Sequence, residues 1–95
     1  MALNHSTYTV GTTPTLIAEI PAKNPYTAVL IFNDDNNSIF IGDSSVAASG
    51  ADRGLIINKS TVSSQVWLNA GDKLYAVSIA GTAPDKVTVL YSGIF

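Results

Sequence analysis

At 95 residues the chain is the size of one domain; such a domain buries only roughly 60–65% of the surface its unfolded form exposes, so an oligomer interface would add useful stability. Hydrophobic residues make up 46% of it and charged residues 13%, against a usual ~25%, and the net charge is −2. The five basic residues (Lys23, Arg53, Lys59, Lys73 and Lys86) are scattered, which argues against nucleic acid and anionic membranes as partners, since both need clustered cations.

In place of charge the sequence offers Ser, Thr, Asn and small apolar residues, a surface that suits close contact with protein because few charges would need desolvation. With no Cys the fold uses neither disulfides nor thiolate metal sites. Residues 1–5 do not read as a signal peptide, and the longest apolar stretch, around residues 28–32, is too short to span a bilayer. The expectation is a soluble chain made in a cytoplasm.

No window holds an apolar repeat of helical period, whereas short alternating runs bounded by Gly, Pro, Asn, Asp or Ser recur. Residues 6–10 alternate after a possible N-terminal arm over 1–10, and Gly11-Thr12-Thr13-Pro14 ends that run. Residues 15–20 form a second strand and 21–25 a loop. Residues 27–33 (Thr-Ala-Val-Leu-Ile-Phe-Asn) are apolar on both faces, the pattern of a central strand buried on both sides. Asp34-Asp35-Asn36-Asn37 then predicts a tight hairpin, with 38–42 returning as the partner strand.

Residues 43–53 form a loop rich in Ser, Ala and Gly, either an interaction loop or a plain connection. Strands follow over 54–58, 63–68, 73–79 and 86–94, separated by turns at Asn69-Ala70-Gly71-Asp72 and at residues 80–85. About eight short strands at even spacing predict an all-β fold: one antiparallel β-sandwich, jelly-roll-like, or a small barrel.

Catalytic parts are missing from the sequence. His5 is the single histidine, near the N-terminus, where chains are commonly loose, and neither a nucleophile elbow nor a phosphate loop is present. The expectation is a protein that is not an enzyme and takes no cofactor. Asp34, Asp35 and Asp43 are weak candidates for a hard cation, but the alternate spacing and closing Glu of a calcium loop are absent, so a solvated turn is favoured and no metal is expected. The lone tryptophan, Trp67, shares a strand face with Gln65 and would pack in a core or interface; a ligand platform made by Trp67 or Tyr26 is the weaker reading. The chain closes on Ile94 and Phe95, which would tuck against its own core or a neighbour.

Several stretches resemble one family. Ser38-Ile39-Phe40-Ile41-Gly42-Asp43-Ser44-Ser45-Val46, the run Leu68-Asn69-Ala70-Gly71-Asp72-Lys73-Leu74-Tyr75-Ala76-Val77-Ser78 through Gly81-Thr82, and Val87-Thr88-Val89-Leu90 are similar to segments of small tailed-phage virion structural proteins, in the same order. The resemblance implies a head decoration (cement) protein, located in the virion, that binds the major capsid protein as a homo-oligomer, a trimer favoured, and bridges capsid subunits. The contact residues it suggests are Leu3, His5 and Tyr8, the loop residues Ser44, Ser45 and Arg53, and Ile94 and Phe95. The alternative is a receptor- or carbohydrate-binding domain of a head or tail fibre.

Overall fold

Nine strands, with no helix among the described residues, are divided between two antiparallel sheets packed face to face. The structure, a computed structural model, describes residues 2–23, 26–33, 37–47, 54–63, 65–78 and 85–93. In chain order the strands are β1 (Ala2–Val10), β2 (Thr15–Glu19), β3 (Thr27–Asn33), β4 (Ile39–Gly42), β5 (Leu55–Ile57), β6 (Thr61–Val62), β7 (Val66–Leu68), β8 (Lys73–Ser78) and β9 (Asp85–Gly93). The first sheet runs β1-β9-β3-β6, with β7 also on β3; the second runs β2-β8-β4-β5. The fold is therefore an open sandwich with free edges.

Alternation builds the space between the sheets. Val10, Ile17, Val29, Ile31, Ile39, Ala76, Val87 and Val89 are all fully or almost fully buried there. Most alternate with residues that point the other way, as a period of two requires; at Ile17 the β2 bulge brings Ala18 into the same core. Most are β-branched, and Val and Ile fit a pleated, crowded surface well.

Three sequence expectations are changed by this arrangement. The hairpin expected between residues 27–33 and 38–42 does not form: β3 pairs with β9, β6 and β7, while β4 pairs with β5 and β8. The link between them crosses from one sheet to the other. Turn-forming residues tell where the chain reverses, and they are equally suited to a reversal that changes sheet. Next, within residues 1–10, expected as a possible arm with a strand over 6–10, the strand extends back to Ala2 as β1, paired with β9 along its whole length from Ala2↔Gly93 to Val10↔Asp85. Finally, the strand expected over 63–68 shortens to β7, Val66–Leu68, and a further short strand that the sequence did not announce, β6 over Thr61–Val62, precedes it on the same edge of β3. Phe32 and Asn33 face Val62 and Thr61, and Thr27–Val29 face Leu68–Val66. Ser63 fills the break: its N–H donates to the Ile31 carbonyl (2.7 Å), and its Oγ accepts from the Ile31 N–H (3.0 Å).

Turn chemistry is better behaved. Gly71 takes φ +83°, a left-handed conformation costly for other residues, in the turn between β7 and β8. There the Asn69 N–H donates to Asp72 Oδ2 (2.7 Å) and the Gly71 N–H to the Ile20 carbonyl (2.9 Å), docking the turn on the end of β2. Gly54 is required for a different reason. A Cβ there would collide with the Ile41 carbonyl, so the backbones of β4 and the segment entering β5 approach only because the side chain is missing.

Asn33, fully buried at the end of β3, ties the two sheets together. Its Nδ2 donates to the carbonyls of Asn37 (2.7 Å), Ile57 (3.1 Å) and Asn58 (3.3 Å), joining β3 to the end of the crossover into β4 and to the end of β5. Its Oδ1 is buried without a partner among the described residues. Replacing Asn33 by Ala leaves buried carbonyls unsatisfied and is expected to cost about 3 kcal/mol. Asn33→Asp is expected to cost more, because a carboxyl oxygen would then face those carbonyls. Urea unfolding of the three proteins checks both the order and the size.

Candidate interaction surface

The outer face of β3 is apolar and open. Thr27, Val29, Ile31 and Asn33 point inward and are buried, whereas Leu30 and Phe32 point outward and remain exposed. This corrects the reading of residues 27–33 as buried on both sides. The register extends the exposed surface sideways, since directly opposed residues share a face. Phe32 faces Val62, Leu30 faces Leu90, and Ala28 faces Trp67. At one end Trp67 (48% exposed) stacks on Tyr26 (60% exposed), with ring centroids 5.0 Å apart and planes 25° from parallel. The outer side of the second sheet is treated differently. There Val46, in the segment after β4, packs with Phe40 and Val77 and against Tyr75, covering that patch with the chain's own residues.

The sheet edges differ as well. β1 is a nine-residue edge strand without Lys, Arg, Asp, Glu or Pro, the residues with which natural edges are usually blunted. Its neighbour on the same side, β2, is short, interrupted by a bulge between Leu16 and Ala18, and ends on Glu19. On the opposite side β5 is a three-residue edge carrying Leu55 (72% exposed) and Ile56 (54% exposed). Between β5 and the β6–β7 edge lies a groove of about 440 Å³, lined by Ile41, Leu55, Ile57, Val62 and Val66 with Asn58, Thr61 and Gln65.

The residues expected to form a site are dispersed. Leu3 sits opposite Ser92 in the β1–β9 register. His5 is exposed on β1 opposite Leu90, and Tyr8, opposite Val87, is half-buried against the core. Ser44 and Ser45 are exposed in the turn after β4. Arg53, Ile94, Phe95, Asp34 and Asp35 lie outside the described residues. Among the described residues no group of three or more His, Asp or Glu is placed to hold a metal. Asp43 instead caps its own turn, accepting from the Ser45 N–H (2.9 Å) and Ser45 Oγ (2.6 Å). Trp67 and Tyr26 are the two candidates the fold brings together. Sequence reading passed over Leu30, Phe32, Leu55, Ile56 and Val62 as exposed groups; the unbroken apolar runs Val29-Leu30-Ile31-Phe32 and Leu55-Ile56-Ile57 were the signal available.

No family model matches the chain, and no curated protein matches it. A solved structure does. It is a chain from work describing Bacillus endospore appendages as a novel family of disulfide-linked pili, similar over 98% of this chain and 87% of that one, with a TM-score of 0.58 and 12% identity. The two share a fold. This match overturns the phage resemblance: the similar structure is a spore appendage pilin and not a virion protein, so the decoration and fibre readings, the capsid partner, the trimer and the virion location are withdrawn. The motifs behind that resemblance have a local explanation. Gly42-Asp43-Ser44-Ser45 is a side-chain-capped turn and Ala70-Gly71-Asp72 a left-handed one, sequences that such turns select in any sandwich.

The two bonds from Ser45, side chain first and backbone second, hold the Asp43 carboxyl below its usual range. A carboxyl with a lowered folded-state pKa stabilises the fold above the ordinary carboxylate range and loses that contribution as pH falls through the folded value. Ser45→Ala is therefore expected to raise the Asp43 pKa and to move this acid-sensitive step to higher pH. An NMR titration of the Asp43 side chain in both proteins measures the shift.

Proposed function

We propose that this protein is a structural subunit that polymerises with copies of itself into a pilus-like appendage, of the kind found on endospores. The observation that carries the reading is the pair of open edges on opposite sides of the sandwich. β1 offers a long, uncharged row of backbone donors and acceptors. The far side offers the apolar Leu55 and Ile56 beside a groove. Two different patches on opposite sides make a head-to-tail contact, and such a contact repeats without closing into a dimer. A low charge density supports the same reading, since little desolvation opposes close packing of many copies. The fold likeness to an appendage pilin supports it independently.

Cohesion must differ from that pilin in one respect. The related pili are disulfide-linked, and this sequence contains no Cys. The copies here are held by strand edges and apolar side chains, and many repeated weak contacts supply the strength that a covalent link would otherwise give.

Sedimentation and electron microscopy of the purified chain test the proposal. Elongated assemblies are expected to form equally with and without reductant. The double variant Leu55→Lys, Ile56→Lys alters two exposed side chains, so it is expected to keep the β-sheet circular dichroism of the parent while losing elongation. A wild-type chain that stays monomeric at every concentration, or a double variant that elongates unchanged, would contradict it.

A further inference from the structure

The geometry points to a second interface on the same molecule: the outer face of the β1-β9-β3-β6 sheet packs against the same face of another copy, anchored by Tyr26 and Trp67. It rests on the polymer reading for the local concentration that brings copies together, but it uses a different surface.

Three observations select this occupant. The β3–β6–β7 half of the face is apolar where a solvated sheet would alternate to polar residues: Leu30, Phe32, Val62, Trp67 and Tyr26 all stand exposed on it, while the β1–β9 half carries mainly hydroxyls such as Thr7 and Thr88. Next, it is nearly free of charge. Among the described outward side chains the ionisable ones are Lys86, beside Thr9, and His5 on β1, which β9 and β3 separate from Trp67; both lie away from the aromatic pair. An acidic, basic or phosphorylated partner would find no counter-charge near the rings, whereas a second copy brings an equally neutral surface, and an isologous contact needs only self-complementarity. Finally, the area fits a contact between arrayed copies. At ~4.8 Å between strands and ~3.4 Å per residue, four strands with three outward residues each make a face of roughly 400 Å². That is about half of the ~800 Å² per partner found in stable standard interfaces. Single subunits would pair weakly, while rows of them displayed along a polymer would pair firmly.

Apolar sheet faces pack about 10 Å apart, as the two sheets already do within one subunit. The stacked rings at the corner of the patch supply the Trp and Tyr that carry most of the energy in such contacts. The consequence is lateral: polymers built through the edges associate side by side through this face.

Trp67 is the lone tryptophan and is half-exposed, so its fluorescence reports the face directly. In concentrated or assembled wild-type protein the emission is expected to move to shorter wavelength and to lose most of its acrylamide quenching relative to dilute subunits. Phe32→Lys is expected to abolish both changes while leaving elongation and circular dichroism intact, giving single filaments where the parent gives paired ones. The Leu55→Lys, Ile56→Lys variant separates the two readings: Trp67 protection that persists at high concentration without elongation belongs to the face alone. If elongation fails in the wild type as well, the polymer reading falls, and Trp67 protection still decides this one. A Trp67 equally quenchable in dilute and concentrated or assembled protein, or protection unchanged by Phe32→Lys, overturns the proposal. So does protection of the dilute subunit by a neutral oligosaccharide, which would assign the face to sugar.

Discussion

Strand β3 has to satisfy two sets of demands at once, and the rest of the sandwich is arranged around how it does so. It lies inside the first sheet, between β9 on one side and β6 and β7 on the other, with Val29 and Ile31 in the centre of the core. Its last residue, Asn33, reaches the second sheet through three carbonyls. A buried amide whose two N–H groups are shared among three carbonyls fixes the relative position of the elements that carry them, because moving them apart leaves polar groups unpaired. Ile57 and Asn58 are held in this way, and with them the short strand β5 at the far edge. The same element that closes the core therefore positions the β5 edge, one of the two edges assigned to assembly in the proposed polymer.

The outer side of β3 follows from the same small size. In a chain of 95 residues there is little spare polypeptide to lay over both outer faces. Val46 and its neighbours cover the second sheet, whereas among the described residues no segment crosses the first. An apolar face, an unguarded nine-residue edge and an apolar edge on the opposite side would each be a liability in a monomer. In the polymer we propose they would serve as contact surfaces.

Much of the fold could be read directly. The bounds of β3 agree with expectation to the residue, because Thr27 to Asn33 is an unbroken run between turn-forming neighbours, and the Gly71 turn was marked by its own residues. Topology was less accessible. Asp34-Asp35-Asn36-Asn37 announces a reversal but not the sheet into which the chain returns, and that choice is made by β9, more than fifty residues away, taking the place beside β3. The β6–β7 break was hidden because Ser63 replaces ladder bonds with its own backbone and hydroxyl, which no periodicity records. The surface was legible only in part. Apolar residues on both sides of β3 implied two-sided burial, but the outer side is open among the described residues, because apolar character alone does not say whether a second layer lies over a face. The pairing of Tyr26 with Trp67, residues far apart in sequence, depends on the β3–β7 register and had no sequence signal.

The central claim is that β1 is an edge in the subunit and an interior strand in the polymer. Residue-resolved amide hydrogen exchange on the assembled and dispersed protein tests it most directly. The account predicts that those β1 amides not bonded to β9 exchange quickly in dispersed subunits and become protected on assembly, together with the backbone of Leu55 to Ile57 at the opposite edge. Assemblies in which β1 and β5 exchange as fast as in the free subunit would contradict it.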